Sequence, residues 1–148
     1  KVKNPPSKPA APSNPGLKAT WHEFKGNKCS EIEKAPVNGT YPVEDVMIPK
    51  KVKGNIGLII KGYFNAPQDD IYTFALLSDD GSTLTIDSEQ IVDNDGPHGP
   101  KEIVGQKALA KGYHPMELRY FDQNGGQLKL KVTGSDGKEI PFTHLYAH

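Results

Sequence analysis

The sequence predicts an all-β domain, a sandwich or a barrel, behind a proline-rich linker. Three observations carry that reading. After Gly16, apolar residues recur with period two in short stretches; Gly, Asp, Asn and Pro interrupt them at intervals of about 8 to 12 residues; and no segment carries a helical stripe. The 148 residues suit one domain, read as residues 17–148, with residues 1–16 as the linker.

The first sixteen residues, KVKNPPSKPAAPSNPG, hold five of the 13 prolines and almost nothing that could enter a core. As polyproline II they would reach about 50 Å, a semi-rigid spacer that implies a neighbouring domain. The chain starts at Lys1 without a methionine and is read as a piece of a longer protein, any targeting signal lying upstream. Residues 25–50 are polar, with Pro36, Pro42 and Pro49, and read either as a long excursion or as two weak edge strands. Ile56 to Phe64 and Ile71 to Leu77 are dense in branched and aromatic residues on both faces, as in central strands covered on each side. Leu84 and Ile86 form a short strand that turns through Asp87-Ser88-Glu89-Gln90 into Ile91 and Val92, a tight hairpin. Met116, Leu118 and Tyr120 alternate with Glu117, Arg119 and Phe121. The oxygen-rich turn Asp122-Gln123-Asn124-Gly125-Gly126 leads to Leu128, Leu130 and Val132, which face the core while Lys129, Lys131 and Thr133 face solvent.

Composition excludes several classes of function. Eighteen basic and 18 acidic side chains cancel, which removes the electrostatic footprint of a nucleic-acid binder. No apolar run approaches the roughly 20 residues needed for membrane insertion. One cysteine, Cys29, allows neither an intrachain disulfide nor a cysteine-based zinc site, and it reads as a small buried hydrophobe.

Asp79 and Asp80 stand side by side where Tyr72 to Leu77 ends, followed by Gly81 and Ser82. Neighbouring strand side chains point to opposite faces, so both carboxylates converge only where the backbone turns sharply. Converged carboxylates repel, and one holds a proton unless a cation sits between them. Calcium suits such a pair, because it takes six to eight oxygens at about 2.3–2.6 Å. A plain turn before Gly81 is the other reading, since aspartate is common in turns. The stretch Asp93-Asn94-Asp95-Gly96-Pro97-His98-Gly99 invites comparison with an EF-hand loop, but Ile91 falls where the first aspartate belongs and the flanks are β. His98 could still reach a site at that end of the domain. His22, His98, His114, His144 and His148 show no metal-ligand spacing. Adjacent aspartates are a poor match for the opposed carboxyls of a glycosidase, which sit roughly 5 to 9.5 Å apart. Asn38-Gly39-Thr40 matches a glycosylation sequon.

Taken together, Tyr72-Thr73-Phe74, Ser78-Asp79-Asp80-Gly81-Ser82, Leu84-Thr85-Ile86-Asp87 and Ile91-Val92-Asp93-Asn94 resemble the PA-fourteen domain, named after the N-terminal part of anthrax protective antigen. Lys111-Gly112-Tyr113-His114, Leu118-Arg119-Tyr120-Phe121 and Leu128-Lys129-Leu130 continue the likeness, which spans roughly residues 17 to 147. The resemblance implies a two-sheet antiparallel β-sandwich. In sugar-binding members of that family two aspartates joined by a cis peptide hold a calcium ion that coordinates a sugar's vicinal hydroxyls. That role falls on Asp79 and Asp80. A second loop, here Asp122 to Gln127, completes the site, with Asn124 as the amide ligand and Asp122 as a further candidate.

Two functions follow from the resemblance. The first is a non-catalytic, calcium-dependent module that binds a glycan and is tethered to an extracytoplasmic glycoside hydrolase, such as a β-N-acetylhexosaminidase or β-glucosidase. The second is an interaction domain that docks on the neighbouring catalytic domain and shapes its active-site rim without binding free sugar. Exposed rings near the ion would favour the first, with Trp21, Tyr113 and Tyr120 as candidates.

Overall fold

The computed structural model describes residues 14–123 and 126–147. Period-two patterning resolves into twelve strands: β1 (Asn14–Pro15), β2 (Leu17–Glu23), β3 (Val37–Val43), β4 (Ile56–Ala66), β5 (Asp70–Asp79), β6 (Ser82–Ile86), β7 (Glu89–Asn94), β8 (Lys101–Leu109), β9 (Gly112–Asp122), β10 (Gln127–Thr133), β11 (Glu139–Ile140) and β12 (Leu145–Ala147). Short 3-10 turns occupy Cys29–Lys34 and Phe142–His144. The first sheet runs β1-β12-β4-β9-β6-β7, with β2 beside β4 and β3 outside β2. The second runs β11-β10-β5-β8. Every pairing is antiparallel.

The two sheets pack face to face through the inward residues of their central strands. Leu58, Ile60, Leu118 and Tyr120 of the first meet Tyr72, Phe74, Leu76, Leu130 and Val132 of the second. Phe64 closes edge-on against Tyr72 and Phe74, with ring centres 5.3 and 5.7 Å apart. Burial of each such side chain stabilises the fold by about 1.5–3 kcal/mol.

As expected, β4 is covered on both faces. Its outer face meets the 3-10 turn, where Cys29 and Ile32 join Phe24, Ile59 and Phe121 in a second small core. Cys29 is buried as expected, and Arg119 clamps the turn, donating from Nη1 to the Cys29 carbonyl at 3.2 Å and from Nη2 to Glu33 at 2.6 Å. β5 departs from expectation. It is central, but its outward residues Ile71, Thr73, Ala75 and Leu77 are at least partly exposed, Ile71 at 45%, because no element among the described residues covers that sheet's outer face. Residues 25–50 yield one edge strand, β3, with the 3-10 turn before it, rather than two weak strands. Pro42 is tolerated because β3 pairs on one side only. The β6–β7 turn is tighter than the sequence implies: Asp87 and Ser88 alone form it, at φ 52 and 67, the geometry that matches strand twist in a two-residue hairpin. No helix among the described residues is long and apolar enough to cross a membrane.

One topological fact positions the site. The β5–β6, β7–β8 and β9–β10 connections all pass from one sheet to the other at the same end of the sandwich, as the registers Gln127↔Asp79, Ser78↔Lys101, Ser82↔Asn94 and Ser82↔Tyr120 require.

Candidate metal centre

At that end the inward alternation of β9, Met116-Leu118-Tyr120, runs on to Asp122, so its carboxylate is delivered into the sandwich with 3% exposure. β5 ends at Asp79, and the peptide joining Asp79 to Asp80 is cis, as the resemblance implies. One carboxylate oxygen from each of Asp79, Asp80 and Asp122 lies within 4.8 Å of the others. Two oxygens on the same calcium, each at up to 2.6 Å, lie no more than about 5.2 Å apart, a limit that every pair of the three meets. An all-oxygen, triply negative set suits a hard divalent cation and repels itself without one. Among the described residues, neither Asp79 nor Asp80 pairs with a lysine or arginine.

The pair is held from behind by main-chain and hydroxyl contacts. Tyr120 donates from its phenol to the Asp79 carbonyl at 2.8 Å. Asp80 N–H donates to the Phe121 carbonyl at 3.2 Å, and Phe121 N–H to the Gly81 carbonyl at 3.0 Å, so the corner is laced to β9. Ser78 Oγ donates to the Asp80 carbonyl at 2.8 Å and lies 2.5 Å from Ser82 Oγ. Buried Asn94 donates to Ser78 Oγ at 3.3 Å, to the Leu76 carbonyl at 3.2 Å and to the Lys101 carbonyl at 2.8 Å. Burial, followed by the negative charges of Asp122, Asp79 and Asp80, holds the Tyr120 phenol far above its ordinary pKa, so it stays a donor. Two glycines leave room for this packing. A Cβ on Gly126 would lie 2.0 Å from the Asp79 carbonyl oxygen and 2.5 Å from the Tyr120 hydroxyl; one on Gly81 would lie 2.7 Å from Gly96 N.

His98 reaches the centre through its main chain: its N–H donates to Asp80 Oδ1 at 3.1 Å. Its ring nitrogens instead lie 2.7 and 2.8 Å from the carbonyls of Gly99 and Asn94. Asn124 lies outside the described residues. The acidic residues of the neighbouring loop serve backbone amides, Asp95 accepting from Cys29 and Gly96 at 3.0 and 2.8 Å. Of the three candidate rings, Tyr120 is buried, Trp21 is half-buried against the core, and Tyr113 sits at the far end of β9, edge-on to Tyr146 at 5.4 Å. The sequence reading missed the Tyr120 hydroxyl, Ser78, Ser82, Asn94 and Gly126. Period two on β9 was the available signal for Tyr120 and Asp122 facing the same way.

A family model, the PA14 domain, matches residues 13–142. The fold is that of the "PA14 sugar-binding domain from RTX adhesin", at TM-score 0.76 and 17% identity over 92% of this chain and 100% of that one. It is also that of the Epithelial Adhesin 9 A domain from Candida glabrata, in complex with Galb1-3GlcNAc, at TM-score 0.69 and 14% identity over 97% and 94%. A β-glucosidase from Kluyveromyces marxianus in complex with glucose matches at TM-score 0.64 and 19% identity over 86% of this chain but 16% of its own. No curated protein matches. With the family model spanning most of the chain and a two-sheet sandwich carrying the cis-linked aspartates, the chain belongs to the PA14 domain family.

Proposed function

We propose that the domain is a non-catalytic carbohydrate-binding module whose recognition depends on calcium, held by Asp79, Asp80 and Asp122, with Asn124 as the amide ligand that the resemblance implies. The observation that carries this reading is the convergence of three carboxylates within 4.8 Å at one end of the sandwich. The sugar-bound adhesin domain and the sugar-binding RTX domain, which share the fold, support it. Bound calcium would supply direct coordination to a sugar's vicinal hydroxyls. The chain's own part is to hold the carboxylates in place, through Tyr120 on the Asp79 carbonyl and the His98 amide on Asp80. Tyr120 and Phe121 are buried and offer no face on which a sugar could stack.

The module is further proposed to serve an extracytoplasmic glycoside hydrolase, the β-glucosidase with this fold as one part supporting that placement. Extracellular calcium sites operate at dissociation constants of about 10⁻⁴–10⁻³ M, compatible with few protein ligands. A weak sugar site, about 4 to 6 kcal/mol, would act by avidity, raising the concentration of a catalytic domain on its glycan. Calorimetric titration of calcium into chelator-treated protein, repeated with Asp79→Asn/Asp80→Asn, followed by a glycan array with and without calcium, tests the reading. Calcium binding lost in the double variant and sugar binding lost with calcium are expected. Glycan binding that survives complete calcium removal would overturn the mechanism.

A further inference from the structure

The strand registers fix what the uncovered outer face of the second sheet presents. Lys129, Leu77 and Glu102 form one row across β10, β5 and β8, and Lys131, Ala75 and Val104 form the next row that faces the same way. Val104 is 54% exposed, and Ile71 carries the apolar line on along β5. An apolar strip on β5 and β8 thus lies between lysines on β10 and a glutamate on β8. The polar pair within it is already joined, since Gln106 Nε2 donates to Thr73 Oγ1 at 2.9 Å, which lowers the cost of covering the face.

The placement of the charges selects the occupant. Lys129 feels the charge of Asp45, but among the described residues neither Lys129, Lys131 nor Glu102 forms an ion pair. A flat sheet face is covered well by another sheet, about 10 Å away with its strands within about 30°. A second copy turned about a two-fold axis along β5 lays its β8 over β10 of the first. Lys129 then faces Glu102 of the second copy, and symmetry makes the same pair twice. Lys131 rests its alkyl stem on Val104 of the second copy, while Ala75 and Leu77 meet their own counterparts. An axis across the strands would instead lay β10 on β10 and set lysines against lysines, so the charges favour the first arrangement.

We infer that the outer face of the second sheet is a two-fold interface with a second copy of this chain, centred on β5 and oriented by Lys129 against Glu102. Strand dimensions give the three strands a face of roughly 30 Å by 14 Å, about 900 Å² over both copies. That is the low end for a specific interface and fits a dissociation constant on the order of 0.1 mM. Because the axis runs along β5, both Asp79 ends point the same way. On the carbohydrate-binding reading above, two weak sites would meet one glycan surface together, although the dimer itself does not rest on that reading.

Sedimentation velocity of the chain from about 10 µM to about 1 mM, a range that brackets this constant, tests the inference. Wild type should pass from monomer to dimer across it. Lys129→Glu and Glu102→Lys, both at exposed positions, should each weaken the dimer roughly tenfold or more, because like charges then face each other twice. Mixed in equal amounts, the two variants should dimerise again, since each new charge meets its complement on the other variant. Wild type that stays monomeric throughout would leave the face to a different partner and overturn the inference. A dimer that either variant keeps at full strength, or a mixture that fails to recover, would overturn it as well.

Discussion

The Tyr120 hydroxyl donates to the main-chain carbonyl of Asp79 at 2.8 Å, so a residue of β9 holds the end of β5, a strand of the other sheet. The bond joins the two sheets at the point where the carboxylates gather. Burial, and then the charges of Asp122, Asp79 and Asp80, keep the phenol protonated.

Tyr120→Phe keeps the ring and removes the donor, leaving a carbonyl without its partner. An unpaired buried acceptor costs about 1–3 kcal/mol. A fall in Tm of several degrees is expected by calorimetry, with weakened calcium retention on top of it. Unchanged stability and unchanged calcium binding together would show the bond to be incidental.

Metal removal should destabilise wild type far more than Asp80→Asn. The asparagine keeps an Oδ1 acceptor for the His98 amide but removes one of three mutually repelling charges. In chelator the variant should melt no lower than wild type. In saturating calcium, wild type should gain about 2.7 kcal/mol at a hundred times its dissociation constant while the variant gains far less. Equal calcium-induced shifts would place the ion elsewhere.

Gly126 has no room for even one methyl group, since a Cβ there meets the Asp79 carbonyl oxygen at 2.0 Å and Asp122 Cγ at 2.9 Å. Gly126→Ala should displace the corner, cost about 1–3 kcal/mol by overpacking and abolish calcium binding while the far-ultraviolet circular dichroism of the sandwich persists. Retention of wild-type calcium affinity would mean that the corner yields without harm.

The His114 side chain is fully buried at the opposite end of β9, with Nδ1 2.8 Å from Asp87 Oδ2 and Nε2 2.7 Å from the Ala110 carbonyl. Both partners are acceptors, so the protonated ring has a partner for each of its N–H groups. Burial pulls its pKa down, but the bond to Asp87, the Ala110 carbonyl and the Asp87 charge together outweigh burial and raise it, while Lys107 opposes. Its contribution to stability is therefore complete below the unfolded value of about 6.5 and is lost as pH rises through the higher folded value. Tm of wild type should fall over that window relative to His114→Gln, whose profile should be flatter there. Parallel profiles would show that the histidine folds neutral.

Much of the architecture was legible because a half-buried strand writes its burial into alternate positions. Leu128, Leu130 and Val132 and the run Met116-Leu118-Tyr120 show this directly. β8 was not legible: Lys101–Leu109 carries polar residues and Gly105 where alternation would be sought. Gly105 is there because a Cβ would meet the Ile91 carbonyl oxygen at 2.1 Å, a close approach between the sheets that no local pattern encodes. At the site, the paired aspartates could be named from their adjacency and family likeness. The buried Ser78, Ser82 and Asn94 network and the Tyr120 bond could not, because each depends on which strands become neighbours after the sheets dock.

The gathering of three sheet-to-sheet corners at one end also has a kinetic meaning. Asp79 and Asp80 meet Asp122 only once both sheets have formed and closed on each other, so hairpins such as β6–β7 lack the full set of carboxylates. Contacts this distant in sequence form late, after the loop entropy of the intervening chain has been overcome. A cation held there would leave the folding rate nearly untouched and slow unfolding instead, acting as a latch on the completed sandwich rather than a nucleus for it.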